Sequence, residues 1–156
     1  MNYLQQKEYT CGVAAVKTLL DNLGLKDLDS QSKIEDKLNT TKDFGTGINE
    51  ILLYLGSKNI IMTTIPTFPT TPTTPTTPTT NQKGICLVNV NVYSNDFPED
   101  KQNGHWLYIE LTGETLKAFD PYTGKTTNYN YNDFKKYTKN IKIKNKLFND
   151  CFLFIR

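Results

Sequence analysis

Apolar residues recur at helical spacing in the first third of the chain, and this pattern predicts three helices. The longest apolar stripe consists of Ala14, Ala15, Leu19, Leu20 and Leu23. Thr10 is placed to cap the first helix, and Gly24 is placed to end it. Asp29 or Ser30 can cap the second helix, and Thr46 can cap the third. The predicted helices cover residues 10–23, 30–38 and 48–55.

The rest of the chain changes to short runs in which apolar residues alternate with polar ones, as is typical of strands. Two of these runs flank residues 112–114 and predict a hairpin, and Asp120-Pro121 begins a second turn that ends at Gly124. The predicted strands cover residues 58–65, 85–93, 106–111, 116–119, 141–143 and 151–155. Helices followed by an antiparallel β-sheet indicate the α+β class.

A proline–threonine repeat interrupts this pattern at about residues 66–81. Proline at every third position excludes a helix or a central strand and favours polyproline II. A linker, a partner-binding strip, a glycosylated segment and a tolerated insertion in a surface loop are all compatible with this composition. Because 156 residues fit one globular domain, we expect residues 1–156 to form a single domain that carries this insertion.

The charge of the chain is nearly balanced. With a formal net charge of only +2, neither a nucleic acid nor a membrane is an expected partner. Lysines do gather late in the chain, where Lys142 and Lys144 alternate with Ile141 and Ile143. This alternation indicates the solvated face of a strand, with a nucleic-acid surface as the alternative.

The first ten residues contain no apolar core of the secretory kind, and no apolar run reaches the roughly 18 residues that span a bilayer. The three cysteines, Cys11, Cys86 and Cys151, do not form an even disulfide framework. We therefore expect a reducing setting, cytoplasmic or otherwise intracellular. With a single histidine and no C-x-x-C, the chain is expected to carry no zinc site, other metal or cofactor.

Cys11 stands directly after Thr10, at the start of the first predicted helix. The unpaired amides and the dipole of a helix N-terminus favour a thiolate and lower the thiol pKa from its ordinary value of about 8.5. Gly12 would let a ligand approach the backbone closely. The alternative is an unreactive, packed cysteine, because cysteine is among the most buried residue types.

His105 is the only histidine, so any thiolate–imidazolium pair must use it. It stands where a loop enters an apolar strand, and Asp120 ends the second strand of the same predicted hairpin. The two side chains should therefore lie side by side, where a carboxylate can orient the imidazole and favour its protonated form. Alternatively, His105 is an ordinary surface residue and Asp120 only opens a turn. Together with Cys11, they predict a nucleophile, a base and an orienting acid.

Three motifs resemble those of the bacteriocin-leader (double-glycine) cysteine peptidases and their stand-alone relatives. The motifs are Gln5 six residues before Cys11-Gly12-Val13-Ala14-Ala15, then Gly104-His105-Trp106, then Phe119-Asp120-Pro121 with Gly124. They occur in the order of the family and span most of the chain, with the proline–threonine repeat as the departure. The resemblance implies a papain-like cysteine peptidase fold and a protein or peptide substrate.

The resemblance also implies roles for the matching residues. Cys11 would attack an amide carbonyl, and His105 would protonate the leaving amine and then activate water. Gln5 stands at the family's six-residue offset and would donate to the oxyanion beside the Cys11 N–H, with Gln6 as the alternative in the neighbouring register. Family members usually precede a membrane transporter, whereas a chain of this length without a membrane segment is expected to be a stand-alone peptidase.

Two other functions remain compatible with the same residues. Deubiquitinase-like isopeptidases, deamidases and transglutaminase-like enzymes can use the same triad, since the acceptor and the pocket decide the outcome. The chain could also be a catalytically silent peptide-binding module. Such a module has no chemical need for intact Cys11, His105 and Asp120.

Overall fold

Three helices form the first third of the chain, in agreement with the apolar spacing. They are α1 (Cys11–Asn22), α2 (Gln31–Lys37) and α3 (Ile48–Ser57). Ser30 caps α2, because its hydroxyl accepts the Lys33 N–H at 3.2 Å. The computed structural model describes residues 1–26, 28–64, 81–94 and 104–156. The predicted insertion at 66–81 lies outside these residues except for Asn81.

Two predicted helix caps are wrong. The Thr10 side chain does not cap α1, because its hydroxyl exchanges hydrogen bonds with the main-chain N–H and carbonyl of Lys7, both at 3.0 Å. Thr46 does not cap α3 either, since its hydroxyl lies 2.9 Å from the Thr40 hydroxyl and the N-cap residue is Gly47. In both cases a nearby polar group competes successfully for the hydroxyl.

An antiparallel sheet follows the helices. The strands in chain order are β1 (Met62–Thr63), β2 (Gln82–Asn89), β3 (Gly104–Thr112), β4 (Thr115–Phe119), β5 (Thr126–Asn130), β6 (Ile141–Ile143), β7 (Lys146–Phe148) and β8 (Phe152–Ile155). Six of them form one sheet in the order β1-β8-β2-β3-β4-β5, and β6 pairs with β7 separately. The last strand, β8, therefore lies inside the sheet, between β1 and β2.

The strand predicted over 58–65 is wrong in its first half. The chain leaves α3 through a reversal, with Asn59 at a φ of 59° and the Ile60 N–H donating to the Leu55 carbonyl at 3.0 Å. Asparagine tolerates this left-handed conformation, which a regular strand does not contain. Only β1 remains as a strand, paired with β8, and residue 65 lies outside the described part of the chain.

The strand predicted over 85–93 is wrong at its end. It stops at Asn89, whose side chain accepts the Asn91 N–H at 3.0 Å and caps a short helix, α4 (Val90–Tyr93). Four further elements were not predicted: β5, β7, α5 (Tyr131–Phe134) and a 3-10 helix (Lys135–Thr138). β5 is mostly exposed and rich in threonine and asparagine, so it has no apolar alternation to detect.

The sheet carries an apolar core on each face. One face packs against α1, α2 and α3 through Leu19, Ile34, Leu55 and Leu87. The opposite face carries a second core, which includes Phe134, Phe152 and Phe154. Among the residues that the structure describes, no helix combines the length and the apolar character needed to cross a bilayer. The order of helices first and antiparallel sheet afterwards confirms the α+β class.

Candidate active site

The N-terminus of α1 presents Cys11. This residue is the first of the helix, and its side chain is only 8% exposed. No side chain caps this helix end, so the first-turn amides can face a negative charge. The turn before α3 packs closely beside it: a Cβ on Gly12 would lie 2.6 Å from the Thr46 Cβ. The Trp106 Nε1–H donates to the Thr46 carbonyl at 3.0 Å. This hydrogen bond from the sheet also holds the turn against the start of α1.

The β3–β4 hairpin brings His105 and Asp120 together. Its register pairs Tyr108 with Phe119, so the residue after β4 lies beside the first residues of β3. The Nε2 of His105 and the Oδ1 of Asp120 are 2.7 Å apart, and both side chains are buried. The two residues that the sequence places side by side are thus in hydrogen-bond contact.

His105 and the turn after β4 together keep the Asp120 carboxylate ionised. Its Oδ1 also accepts the Tyr122 N–H at 2.8 Å. Burial alone would raise the pKa of Asp120, but the hydrogen bond and the charge of His105 outweigh it and, with the N–H groups of Tyr122 and Thr123, lower the pKa below its usual value. A negative charge is therefore available to hold a protonated imidazole.

The imidazole of His105 bonds the Cys11 thiol as well as Asp120. Since Nε2 bonds Asp120, Nδ1 is the nitrogen left to face Cys11. Burial disfavours the imidazolium, but the charge of Cys11 and the hydrogen bond of Asp120 raise the pKa of His105 to about 9.

The thiolate form of Cys11 is stabilised by the same contact. Burial disfavours this thiolate, but the charge and hydrogen bond of His105 outweigh the effect and lower the pKa of Cys11. The backbone N–H groups of Trp106 and Gly12 bond the sulfur and lower this pKa further. The arrangement favours a thiolate–imidazolium pair at neutral pH.

Gln5 and Gln6 differ in how they are held. The Gln5 N–H donates to the Pro121 carbonyl at 2.9 Å, next to Asp120 in the chain, whereas Gln6 is exposed. The Nε2 of Gln5 donates to the carbonyls of Lys7 and Glu8 at 2.9 and 3.1 Å, and its buried Oε1 has no hydrogen-bond partner among the described residues. To donate to an oxyanion, the Gln5 amide has to share or release one of these carbonyls.

The other two cysteines lie in different surroundings. Cys86 is fully buried in the aromatic core face of β2, and Cys151 packs towards the helical face. Burial raises the pKa of Cys86 and, for Cys151, raises the pKa to about 11. Both thiols therefore stay protonated at neutral pH, and neither has the His105 contact that lowers the pKa of Cys11.

Tyr93 is a residue of this site that the sequence does not single out. Its ring centroid lies 6.5 Å from that of the His105 imidazole, at an interplanar angle of 38°. The sequence contains nine tyrosines, and their pattern does not indicate which of them faces His105. The contact depends on α4, the short helix that replaces the end of a predicted strand.

Two solved structures are similar to this chain over almost its whole length. The peptidase domain of Streptococcus ComA, a bi-functional ABC transporter involved in a quorum-sensing pathway, has a TM-score of 0.59 and 15% identity, covering 99% of this chain and 94% of that chain. A double-glycine-motif protease from an AMS/PCAT transporter, in complex with the leader peptide, has a TM-score of 0.56 and 12% identity, covering 99% and 90%. No protein-family profile and no curated protein sequence matches the chain.

These comparisons show the fold. Both similar structures are papain-like peptidase domains, so the chain has the papain-like peptidase fold. The resemblance to double-glycine peptidases that the motifs indicate is confirmed at this level. With identities of 12% and 15%, the likeness concerns the fold, and an argument about chemistry rests on the side chains around Cys11.

Proposed function

We propose that this chain is a cysteine peptidase with Cys11 as the nucleophile, His105 as the acid–base group and Asp120 as the residue that orients His105. The observation that carries the proposal is the buried chain of contacts from thiol to imidazole to carboxylate, with 2.7 Å between Nε2 and Oδ1. The three groups come from a helix start, a strand start and a turn, and their contacts favour the charged form of each.

The proposed reaction is acyl transfer to water. The Cys11 thiolate attacks the carbonyl carbon of the substrate amide, and the Cys11 N–H and the Gln5 amide donate to the resulting oxyanion. His105 gives its Nδ1 proton to the leaving amine as the C–N bond breaks, and a thioester remains. The neutral imidazole then takes a proton from water, whose oxygen attacks the thioester. The acid product leaves and the thiolate–imidazolium pair returns, while Asp120 stays ionised and holds the Nε2–H.

We propose a protein or peptide as the substrate. One similar structure is a double-glycine-motif protease in complex with a leader peptide, so double-glycine leader peptides are the first substrates to test. The acceptor is a separate question, because the same thioester can be captured by water or by an amine.

The decisive experiment incubates the protein with a mixture of peptides that includes double-glycine leader sequences and follows the products by mass spectrometry. We expect cleavage by the wild type and by a Cys86→Ala/Cys151→Ala control, and none by Cys11→Ala. The rate at which iodoacetamide alkylates each cysteine, measured from about pH 4 to pH 9, tests the thiolate without a substrate.

Three results would change the proposal. No cleavage, together with slow alkylation of Cys11 that resembles a free thiol, would leave a binding module. Loss of turnover in a folded Cys86→Ala variant would show that Cys11 is wrongly assigned as the nucleophile. Capture of the acyl group by an added amine in preference to water would make the protein a transferase.

A further inference from the structure

Three tyrosines, which we call the tyrosine cover (Tyr93, Tyr129 and Tyr137), pack together beside His105. Tyr93 contacts the imidazole, and its ring meets that of Tyr137 edge-on at 5.5 Å and 88°. Tyr129 packs on Tyr137 at 6.0 Å and is hydrogen-bonded to the Tyr93 hydroxyl. The Tyr93 ring is thus held from two sides while it faces the imidazole.

The backbone that carries Tyr93 is anchored independently of the cover. Asn89 caps α4 and donates through Nδ2 to the carbonyls of Lys139 and Asn140, both at 3.2 Å. This side chain ties the start of α4 to the segment that leads into β6. Tyr93 is therefore placed by the fold and does not depend on a substrate for its position.

We propose that Tyr93 is a positioning residue whose ring keeps water from the His105–Asp120 hydrogen bond and so holds the imidazole towards Cys11. Asp120 lies close enough to Tyr93 for its charge to act on the phenol, so the ring is near both partners of that hydrogen bond. This inference rests on the proposed function of the site, but it concerns a property of His105 that can be measured without a substrate.

The expected effect follows from the groups that face the two rings. Cys11 and Asp120 face His105 from α1 and from the turn after β4, and Asp120, Tyr129 and Cys86 act on Tyr93. Burial, the charge of Asp120 and the contact with Tyr129 raise the pKa of Tyr93, so the phenol stays neutral.

Charge attraction exceeds the burial penalty at His105, because its pKa is raised from 6.5 to about 9. Water that enters screens the attraction and relieves the penalty together, so the net shift becomes smaller. The pKa of His105 should then fall towards 6.5, and the pKa of Cys11 should rise towards its ordinary value.

The single histidine makes the test direct, because its ring signals in an NMR titration of the full chain belong to His105 alone. We expect the pKa of His105 to fall from about 9 towards 6.5 in Tyr93→Ala and to stay near the wild-type value in Tyr93→Phe. Tyr137→Ala removes a ring of equal size that contacts Tyr93, and it should cause a smaller fall. The ring N–H proton of His105 should exchange with water faster in Tyr93→Ala than in Tyr93→Phe.

An unchanged pKa and unchanged N–H exchange of His105 in a folded Tyr93→Ala variant would overturn the inference, even if the wild type cleaves peptides. If Tyr93→Ala does not fold, Tyr93→Leu, which lacks the ring but keeps part of the apolar volume, should show the same fall in the pKa of His105 to a smaller extent, and no change in pKa or N–H exchange in that variant would overturn the inference. A wild-type His105 that titrates near 6.5 would instead refute the proposed function, because no thiolate–imidazolium pair would be present.

Discussion

Two carboxylates in this fold are surrounded by opposite kinds of partner. Asp120 has the imidazole of His105 at 2.7 Å. Asp29, in the loop before α2, has a side chain only 8% exposed and is surrounded by one hydroxyl and three ammonium groups: Tyr54, Lys33, Lys37 and Lys58. Lys37, at 2.7 Å, is the strongest of the influences that lower the pKa of Asp29.

The difference lies in whether the partner can exchange its proton near neutral pH. Lysine ammonium groups ordinarily stay charged there, so the Asp29 cluster is a fixed set of charges that joins α2 to α3. Lys17 adds α1 by donating to the Asp29 carbonyl at 2.6 Å. His105 can gain and lose a proton in this range. A carboxylate with several lysine partners, such as Asp29, therefore indicates a structural role. A carboxylate paired with a histidine, such as Asp120, indicates a role in proton transfer.

Exchanging the two carboxylates for amides tests this distinction with the largest expected effect. Asp120→Asn should fold and lose about 10³-fold in kcat/KM, because the amide carries no negative charge to favour the imidazolium, even where its Oδ1 still accepts the Nε2–H. Asp29→Asn is the matched control: we expect unchanged kcat/KM and a loss of about 1–2 kcal/mol in the free energy of unfolding, since its lysines are partly exposed. Peptide cleavage measures kcat/KM of each variant, and urea unfolding measures its free energy of unfolding. Unchanged turnover in Asp120→Asn would remove Asp120 from the triad.

The two N-terminal glutamines offer the next contrast. Gln5→Ala should lower kcat by about 10²-fold with little change in KM, because an oxyanion donor acts in the transition state. Gln6→Ala, at an exposed position one residue away, should leave both constants unchanged. Steady-state kinetics of the two variants decide the register. The reverse result would assign the donor to Gln6.

The pH profile of kcat/KM also distinguishes the two carboxylates, with the smallest expected effect. Activity should rise as Cys11 ionises below its ordinary pKa and should fall near pH 9, where His105 loses its proton. In Asp120→Asn the upper limb should move towards 6.5, because one cause of the raised pKa of His105 is gone. In Asp29→Asn the profile should keep both limbs. An upper limb that stays near 9 in Asp120→Asn would show that Asp120 does not support the imidazolium.

Stability should not follow the same profile. The raised pKa of His105 stabilises the fold fully below 6.5, and this contribution is lost as the pH rises to about 9. The lowered pKa of Cys11 acts in the opposite direction, since its contribution is lost as the pH falls. Where the folded protein holds the thiolate–imidazolium pair and the unfolded chain holds a thiol and a neutral imidazole, folding moves one proton from Cys11 to His105. The number of bound protons does not change, so in this pH range the two contributions to the pH dependence of stability oppose each other.

The parts of this molecule that follow from local patterns could be predicted from the sequence. The apolar stripe predicts α1, and the turn at residues 112–114 predicts the hairpin that joins β3 and β4. That hairpin brings His105 close to Asp120, so their contact needed no long-range information. The position of Cys11 beside these two residues depends on how α1 packs against the sheet. Local patterns do not predict this packing, and only the family resemblance indicated it.

The elements that were missed depend on choices among competing partners. Thr10 caps nothing in α1 because Lys7 offers its hydroxyl both a donor and an acceptor. Asn89 ends β2 because its side chain can cap α4, and the alternation of apolar residues beyond it gives no sign of this. The contact of Tyr93 with His105 follows from that turn of helix, and for this reason the sequence pattern did not reveal it.

The place of β8 in the sheet has a consequence for biosynthesis. β8 is made after every other strand described here, yet it pairs with both β1 and β2. A growing chain that has already released Cys11, His105 and Asp120 from the ribosome still has an open gap in its sheet, with one edge of β2 unpaired. Cys11, His105 and Asp120 are therefore synthesised before β8, the strand that fills the gap between β1 and β2 in the sheet that supports them.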